Sequence, residues 1–237
     1  MVRMAWTILE TKAASAEENM QMDAKLLENL SGQERPILHL YEWEKTSATF
    51  GYFVKPEELM DLGQVRKRGL DLARRPTGGG VVFHLWDLAF SVLVPAKSEL
   101  FSTNTLDNYN LINRVVKEVV KEFIGVQEEL ALIPDDAPFQ DRACTHFCMA
   151  RPTKYDVMLE GKKIAGAAQR KTKDGFLHQG TIALLRPDQE LLEAVLPSEA
   201  VREAMVQNTF PLLSDLKELK EGRKELCEHL KRHFIKL

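Results

Sequence analysis

Between Ala14 and Leu30 apolar residues return at helical spacing, with Met20, Ala24, Leu27 and Leu30 on one face. Ser15, with Glu18 three residues on, forms a capping box and gives this helix a defined start. The period then shortens to two. Across Pro36–Trp43, Ile37, His39, Tyr41 and Trp43 alternate with Leu38, Leu40 and Glu42, predicting a strand buried on both faces at its start. Thr46–Phe53 predicts a second short strand carrying Gly51, and Gly69–Arg75 leads into the triplet Gly78-Gly79-Gly80. Val81–His84 and Leu88–Val94 read as a β-hairpin joined at Leu85-Trp86-Asp87.

Helical spacing resumes over Thr105–Ile124, where Leu106, Tyr109, Ile112, Val116, Val119 and Phe123 recur at three- and four-residue steps. Tyr155–Leu159 and Lys163–Ala168 predict a second hairpin turning at Glu160-Gly161. Phe176–Leu185 reads as a strand and Pro187–Met205 as one or two short helices. Ser214–Leu237 reads as a C-terminal helix, carrying Leu216, Leu219, Leu226, Leu230 and Phe234 in register despite Gly222. With no internal repeat and no low-complexity linker, residues 1–237 are expected to form one α+β domain, mixed strands in the middle and helices outside.

Composition narrows the function classes. Of 237 residues, 44% are hydrophobic and 28% charged, an ordinary globular balance. A net charge of −3 lacks the basic excess of a general nucleic-acid binder and leaves a protein partner open. Met1–Trp6 shows no apolar core with a cleavage site, and no run approaches the roughly 18 apolar residues of a membrane span. Cys144, Cys148 and Cys227 are few and odd in number, which fits free thiols in a reducing compartment. The expectation is a cytoplasmic protein without nucleic-acid or membrane partners.

Four stretches carry candidate chemistry. In Arg74-Arg75-Pro76-Thr77-Gly78-Gly79-Gly80-Val81-Val82-Phe83-His84, three glycines let the backbone approach a ligand, and an adjacent arginine can neutralise an anion. Alone the triplet reads equally as a tight connection with solvated arginines; it is neither a Walker loop nor a dinucleotide fingerprint. In Glu160–Arg170, the small residues Ala165, Gly166, Ala167 and Ala168 leave room for an elongated apolar ligand, with Lys163 at its mouth. Only one of Lys162 and Lys163 can face inward in an extended segment, and a lysine taken at random is a surface lysine. Leu177–Ile182 sets His178, Gln179 and Thr181 among apolar neighbours, as a lined pocket or satisfied core polar groups would require. Cys144, His146 and Cys148 lack the second ligand pair of a closed zinc site. One cysteine can instead be an acyl-accepting nucleophile, or all can be buried structural thiols.

Taken in order, these pieces resemble the lipoate–protein ligase and octanoyltransferase superfamily, whose catalytic domain is related to that of biotin–protein ligases. The resemblance rests on Glu18–Asp23, Tyr41-Glu42-Trp43, Arg74–His84, Gly161–Arg170 and Leu177–Thr181. It implies a mixed sheet flanked by helices, a groove for the acyl tail, the glycine loop at the carbonyl end, and Lys163 on the acyl carbonyl. The implied substrate-binding residues are Arg74, Arg75, Thr77, Gly78, Gly79, Gly80, His84, Gly166, Ala168, His178 and Gly180. Which of Arg74 and Arg75 faces the ligand stays open, and no metal-ligating residue is implied.

Two departures refine the reading. Where much of the family has two histidines before glycine, this chain has His178-Gln179; a role of the second imidazole would have to be met by an amide and is not carried over. After His84 the chain runs Leu85-Trp86-Asp87-Leu88, shorter and less acidic than in many ligases. Cys148-Met-Ala-Arg-Pro-Thr-Lys-Tyr-Asp156 resembles the segment of cysteine-dependent octanoyltransferases that holds their nucleophile. The branch so implied uses Cys148 and Lys163 as catalytic residues and needs no cofactor. It takes its acyl group from octanoyl-acyl carrier protein, or handles lipoate, and passes it to lipoyl-domain proteins such as 2-oxoacid dehydrogenase E2 subunits or the glycine cleavage H protein. The alternative is an ATP- and Mg-dependent lipoate–protein ligase acting through lipoyl-AMP. A non-catalytic lipoyl-binding relative and a biotin-attaching enzyme are further readings.

Overall fold

The structure, a computed structural model, describes residues 5–84, 86–125, 130–134 and 143–237. In chain order the elements are β1 (Thr7–Glu10), α1 (Ala16–Glu28), β2 (Ile37–Leu40), β3 (Ser47–Phe50), α2 (Leu62–Lys67), β4 (Asp71–Arg74), β5 (Val81–His84) and β6 (Asp87–Pro95). They continue with α3 (Thr105–Ile124), β7 (Ala131–Leu132), β8 (Val157–Leu159), β9 (Lys162–Thr172), β10 (Gly175–Ala183), α4 (Gln189–Val195), α5 (Glu199–Asn208) and α6 (Leu219–Lys236). The Ser15–Glu18 capping box is present, with Ser15 Oγ accepting from the Glu18 amide.

The strands among the described residues form two sheets rather than one. The larger has the order β1-β2-β6-β10-β9-β8-β7 and the smaller β4-β3-β5. Each is mixed: β1 runs parallel to β2 and β4 parallel to β3, while their other pairings are antiparallel. Central strands β6 and β10 are buried on both faces along their whole length, as expected of strands sandwiched between layers.

This arrangement corrects the first expected hairpin. Val81–His84 pairs with β3 in the small sheet, and Asp87–Pro95 pairs with β2 and β10 in the large one. The chain therefore passes from one sheet to the other between His84 and Asp87, and Leu85 of the expected joint lies outside the described residues. The corner is pinned from both sides, since Trp86 O accepts from the Leu184 and Leu185 amides and the His84 ring bonds Asp87 across the bend. Alternation alone cannot reveal this, because a strand changing sheets keeps the same period. The second hairpin forms as expected, with Glu160 and Gly161 both at positive φ (51° and 74°), as a two-residue hairpin turn requires.

Helix α1 packs against strands of both sheets and is tied to the small one by the Ala16 amide bonding Asp71 Oδ2 at 2.7 Å. Helix α6 packs along α3 and buries Leu226, Leu230 and Phe234, the last against Trp6 at 5.0 Å between ring centroids. Phe234→Ala is expected to lower the unfolding free energy by about 3–5 kcal/mol in urea titration. Leu216→Ala, 68% exposed, should change it by less than about 0.5 kcal/mol. Equal effects would contradict this packing.

Candidate functional site

The Arg74–Gly80 segment connects two strands of the small sheet, and the two arginines part company there. Arg74 is exposed, lies over the Phe50 ring and donates to the carbonyls of Tyr52 and Val54. Arg75 is 4% exposed and points inward. Its Nη1 donates to Thr49 O and Oγ1 (3.1 and 2.9 Å), its Nη2 to Gly78 O and Gly80 O (3.0 and 2.8 Å). One buried guanidinium therefore shapes the glycine loop from within.

Beyond Thr49 a relay continues to a carboxylate. Thr49 Oγ1 is hydrogen-bonded to His84 Nε2 (2.8 Å), and because a carboxylate accepts, His84 Nδ1–H donates to Asp87 Oδ2 (2.8 Å). Thr181 Oγ1 also donates to that oxygen. The His84 ring stacks on Trp43 at 4.3 Å, which locks its plane. A second network ties the loop to α1: Thr77 Oγ1 donates to Gln179 Oε1 and Gln179 Nε2 to Asp23 Oδ2, both at 2.6 Å. Asp23 also takes bonds from His39 and Ser91. The amide at position 179 thus accepts from the loop and donates to the helix at once.

Glycine loop and cysteine meet closely. The Cys148 amide bonds Val81 O at 3.1 Å, and a methyl group on Gly80 would overlap the His146 carbonyl. One on Gly51 would overlap Gly79 O. The vacant side-chain position of Gly79 is bounded by Arg75 Nη2 (3.2 Å), Ala168 Cβ (3.5 Å) and Cys148 Sγ (3.6 Å). Gly79 itself has φ +81°, a conformation open to glycine at little cost.

Lys162 is exposed and Lys163 is 2% exposed, which resolves which lysine faces inward. Lys163 Nζ donates to Cys148 O at 2.8 Å and pairs with Asp156 Oδ2 at 2.7 Å. Its stem folds back over its own strand into space left by Gly166, where a Cβ would overlap Lys163 Cε and Nζ. Burial pushes the Asp156 carboxyl up, opposed by Lys163 and by bonds from Thr153. Two of the three ammonium protons have described partners, leaving a third for a ligand.

Cys148, Lys163 and Ala168 lie between two spaces. An inner slot of about 30 Å³ is lined by Met20, Tyr41, Arg75, Val82, His84, Ala89, Gly166 and Gly180, among others. An outer vestibule of about 340 Å³ is lined by Gly78, Gly79, Gly80, Leu106, Tyr109, Arg151, Lys154 and Gln169, among others. A larger cleft of about 620 Å³ lies beyond Tyr41, His84 and Ala89, beside α6, away from Cys148.

Of the expected residues, Arg75, Gly78, Gly79, Gly80, His84, Cys148, Lys163, Gly166, Ala168 and Gly180 line one or both spaces. Arg74, Thr77 and His178 line neither; Thr77 braces the loop and His178 sits behind Tyr109, 5.6 Å between ring centroids. Burial drives His178 from the ordinary 6.5 to about 3, so it is neutral. Asp156, Thr49 and Asp87 were missed. Asp156 ends the quoted Cys148 stretch, but no spacing rule joins it to Lys163 across a hairpin. Among the described residues no three His, Cys, Asp or Glu side chains gather as metal ligands.

Residues 15–234 match the model of the lipoyl protein ligase A/B catalytic domain. The chain belongs to this family. It is 30% identical over 241 residues to octanoyltransferase LipM of Geobacillus kaustophilus, covering all of this chain and 86% of the relative. To octanoyltransferase LipM of Kyrpidia tusciae it is 32% identical over 210 residues, 86% of this chain and 75% of the relative. The solved bipartite lipoate protein ligase of an archaeal lipoylation system from Thermoplasma acidophilum superposes with a TM-score of 0.64 at 27% identity. That match covers 98% of this chain and 84% of the other. The α+β architecture expected from the sequence is the one these family members share.

Two outcomes test the geometry. Gly166→Ala should displace Lys163 and reduce turnover by about 10²-fold or more, with the fold retained by circular dichroism; near-normal turnover would sink this placement. For His178 the unfolded state binds more protons between pH 6.5 and about 3. Its contribution to stability is therefore complete above 6.5 and lost as pH falls. Urea titrations of His178→Leu should show an acid limb shallower by up to about 1.4 kcal/mol per pH unit, and an unchanged slope would refute the neutral buried imidazole.

Proposed function

We propose that this chain carries out protein lipoylation by transferring an octanoyl group through a thioester on Cys148. The observation that carries the reading is the convergence of Cys148 Sγ, the glycine loop and Lys163 between an inner slot and an outer vestibule. The octanoyltransferase names of its relatives support it. In the first half-reaction the Cys148 thiolate attacks the carbonyl of a carrier-protein thioester. The new S–C bond forms, the donor's C–S bond breaks, and the donor sulfur leaves as a thiolate that takes up the proton Cys148 gave up. In the second, the neutral amine of an acceptor lysine attacks, the C–N bond forms, the acyl–Sγ bond breaks, and the amine proton passes to the departing Cys148 sulfur. No nucleotide enters this exchange. Acceptors are lipoyl-domain proteins, and the free thiol suits the cytoplasm.

Lys163 and the glycine-loop amides are assigned to the developing oxyanion. A trans peptide sets C=O and N–H on opposite sides, so the Gly78 carbonyl held by Arg75 turns the Gly79 N–H away from the guanidinium. The slot has the volume of about one water. Its walls must part for an octanoyl tail, and Met20 is the adaptable side chain among them.

The second reading, an ATP-dependent ligase, is favoured by likeness to a lipoate-protein ligase A solved with ATP bound, at 26% identity and a TM-score of 0.63. Donor choice separates the two. Wild type should modify a lipoyl domain from octanoyl-carrier thioester without ATP. Cys148→Ala should lose this entirely, and Lys163→Met should retain about a hundredth or less of kcat. Intact transfer by Cys148→Ala, or a requirement for free acid and ATP with pyrophosphate release, replaces the transferase with the ligase.

A further inference from the structure

The turn joining β3 to the 3₁₀ segment at Pro56 presents two aromatic side chains to solvent. Phe53 is 88% exposed and Tyr52 49%, their rings edge-on at 5.2 Å. Single exposed apolar residues are ordinary on a protein surface. This pair differs in being held rigidly and in where it stands. The Val54 amide closes the turn onto Gly51 O at 3.0 Å, and Arg74 grips the Tyr52 and Val54 carbonyls from the other side. The Arg170 guanidinium covers the Tyr52 ring at 5.5 Å and bonds Pro76 O.

Through Tyr52 N–H to Thr77 O, and Gly51 against Gly79, the turn is built onto the outer side of the glycine loop. Leu106, 43% exposed, stands on the vestibule wall. Among the described residues the vestibule lining holds Arg151 and Lys154, with Lys163 already paired to Asp156, and Arg74 and Arg170 flank the aromatic turn; the acids nearest to it in sequence are Glu57 and Glu58, of which Glu58 is paired with Lys55. Preorganised aromatics between arginines are the composition of an interface hot spot, and a rigid turn loses little freedom on binding.

We propose that the Tyr52–Phe53 turn, flanked by Arg74 and Arg170, is the docking surface for the acceptor: an acidic protein domain that inserts its lysine past the glycine loop to Cys148. This rests on the acyl-transfer reading above. Reach selects the acceptor over the donor. A lysine stem has only four carbons, so the domain that presents it must sit on the rim itself. A thioester on a long flexible arm is under no such constraint. Cationic charge around the aromatics then selects an acidic face and speeds its approach at low salt.

The test separates the half-reactions in the full-length protein, with a lipoyl domain of net negative charge as acceptor probe. In Phe53→Ala and Phe53→Asp, acylation by octanoyl-coenzyme A and release by hydroxylamine should stay within about two-fold of wild type, since neither needs protein docking. KM for the lipoyl domain should rise about ten-fold or more in Phe53→Asp and less in Phe53→Ala, with kcat within two-fold. Wild-type KM should climb with ionic strength. An acceptor KM within two-fold of wild type in both variants overturns the docking surface while leaving acyl transfer standing. Absence of any wild-type acyl-enzyme overturns the transfer reading, and the docking surface with it.

Discussion

The buried guanidinium of Arg75 is the contact on which the site's geometry depends. It holds the carbonyls of Gly78 and Gly80 and the backbone of Thr49 together, so the loop, the small sheet and the cysteine segment beside it share one anchor. Both of its Nη groups are met by oxygen acceptors while its Nε has no hydrogen-bond partner among the described residues, and a charge at 4% exposure also needs an opposite charge within electrical reach. Thr49 and His84 supply that reach by conducting the polarity of Asp87 to it through hydrogen bonds. The crossover at residues 84–87 therefore does two things at once. It moves the chain between sheets and places the counter-charge of the loop.

The second charged pair follows the same logic at the other wall. Lys163 and Asp156 satisfy each other away from water, and Gly166 provides the space for it. On the proposed reading Lys163 is thus already placed in the resting protein and needs little reorganisation when negative charge appears on an acyl oxygen, the condition under which electrostatic stabilisation is most effective. Small residues recur here for one reason: Gly51, Gly79, Gly80 and Gly166 each stand where a methyl group would meet backbone or a site side chain, and one on Gly180 would overlap the core ring of Phe90.

Much of this was legible in the sequence because periodicity and turn chemistry are local. The capping box at Ser15, the helices at 105–124 and at the C-terminus, and the Glu160-Gly161 hairpin all follow from neighbours within a few residues. The crossover at residues 84–87 was not, since a strand entering a second sheet alternates as a hairpin strand does. For the site, Cys148, Lys163 and the glycines were found through motif order. Asp156, Thr49 and Asp87 escaped because their roles depend on pairing across elements far apart in sequence. Motif resemblance also could not divide Arg74 from Arg75; burial did, sending Arg75 to the loop's interior and Arg74 to the Tyr52–Val54 turn.

Everything turns on whether acyl chemistry passes through the sulfur that faces Gly79. Peptide mapping by mass spectrometry, after brief mixing of the wild-type protein with an octanoyl-carrier thioester and acid quenching, observes that step without acceptor or nucleotide. The account predicts an octanoyl group on the peptide containing Cys148, removed by neutral hydroxylamine and discharged on adding a lipoyl domain. Acylation confined to another residue, or a label on Cys148 that the lipoyl domain does not discharge, would contradict it.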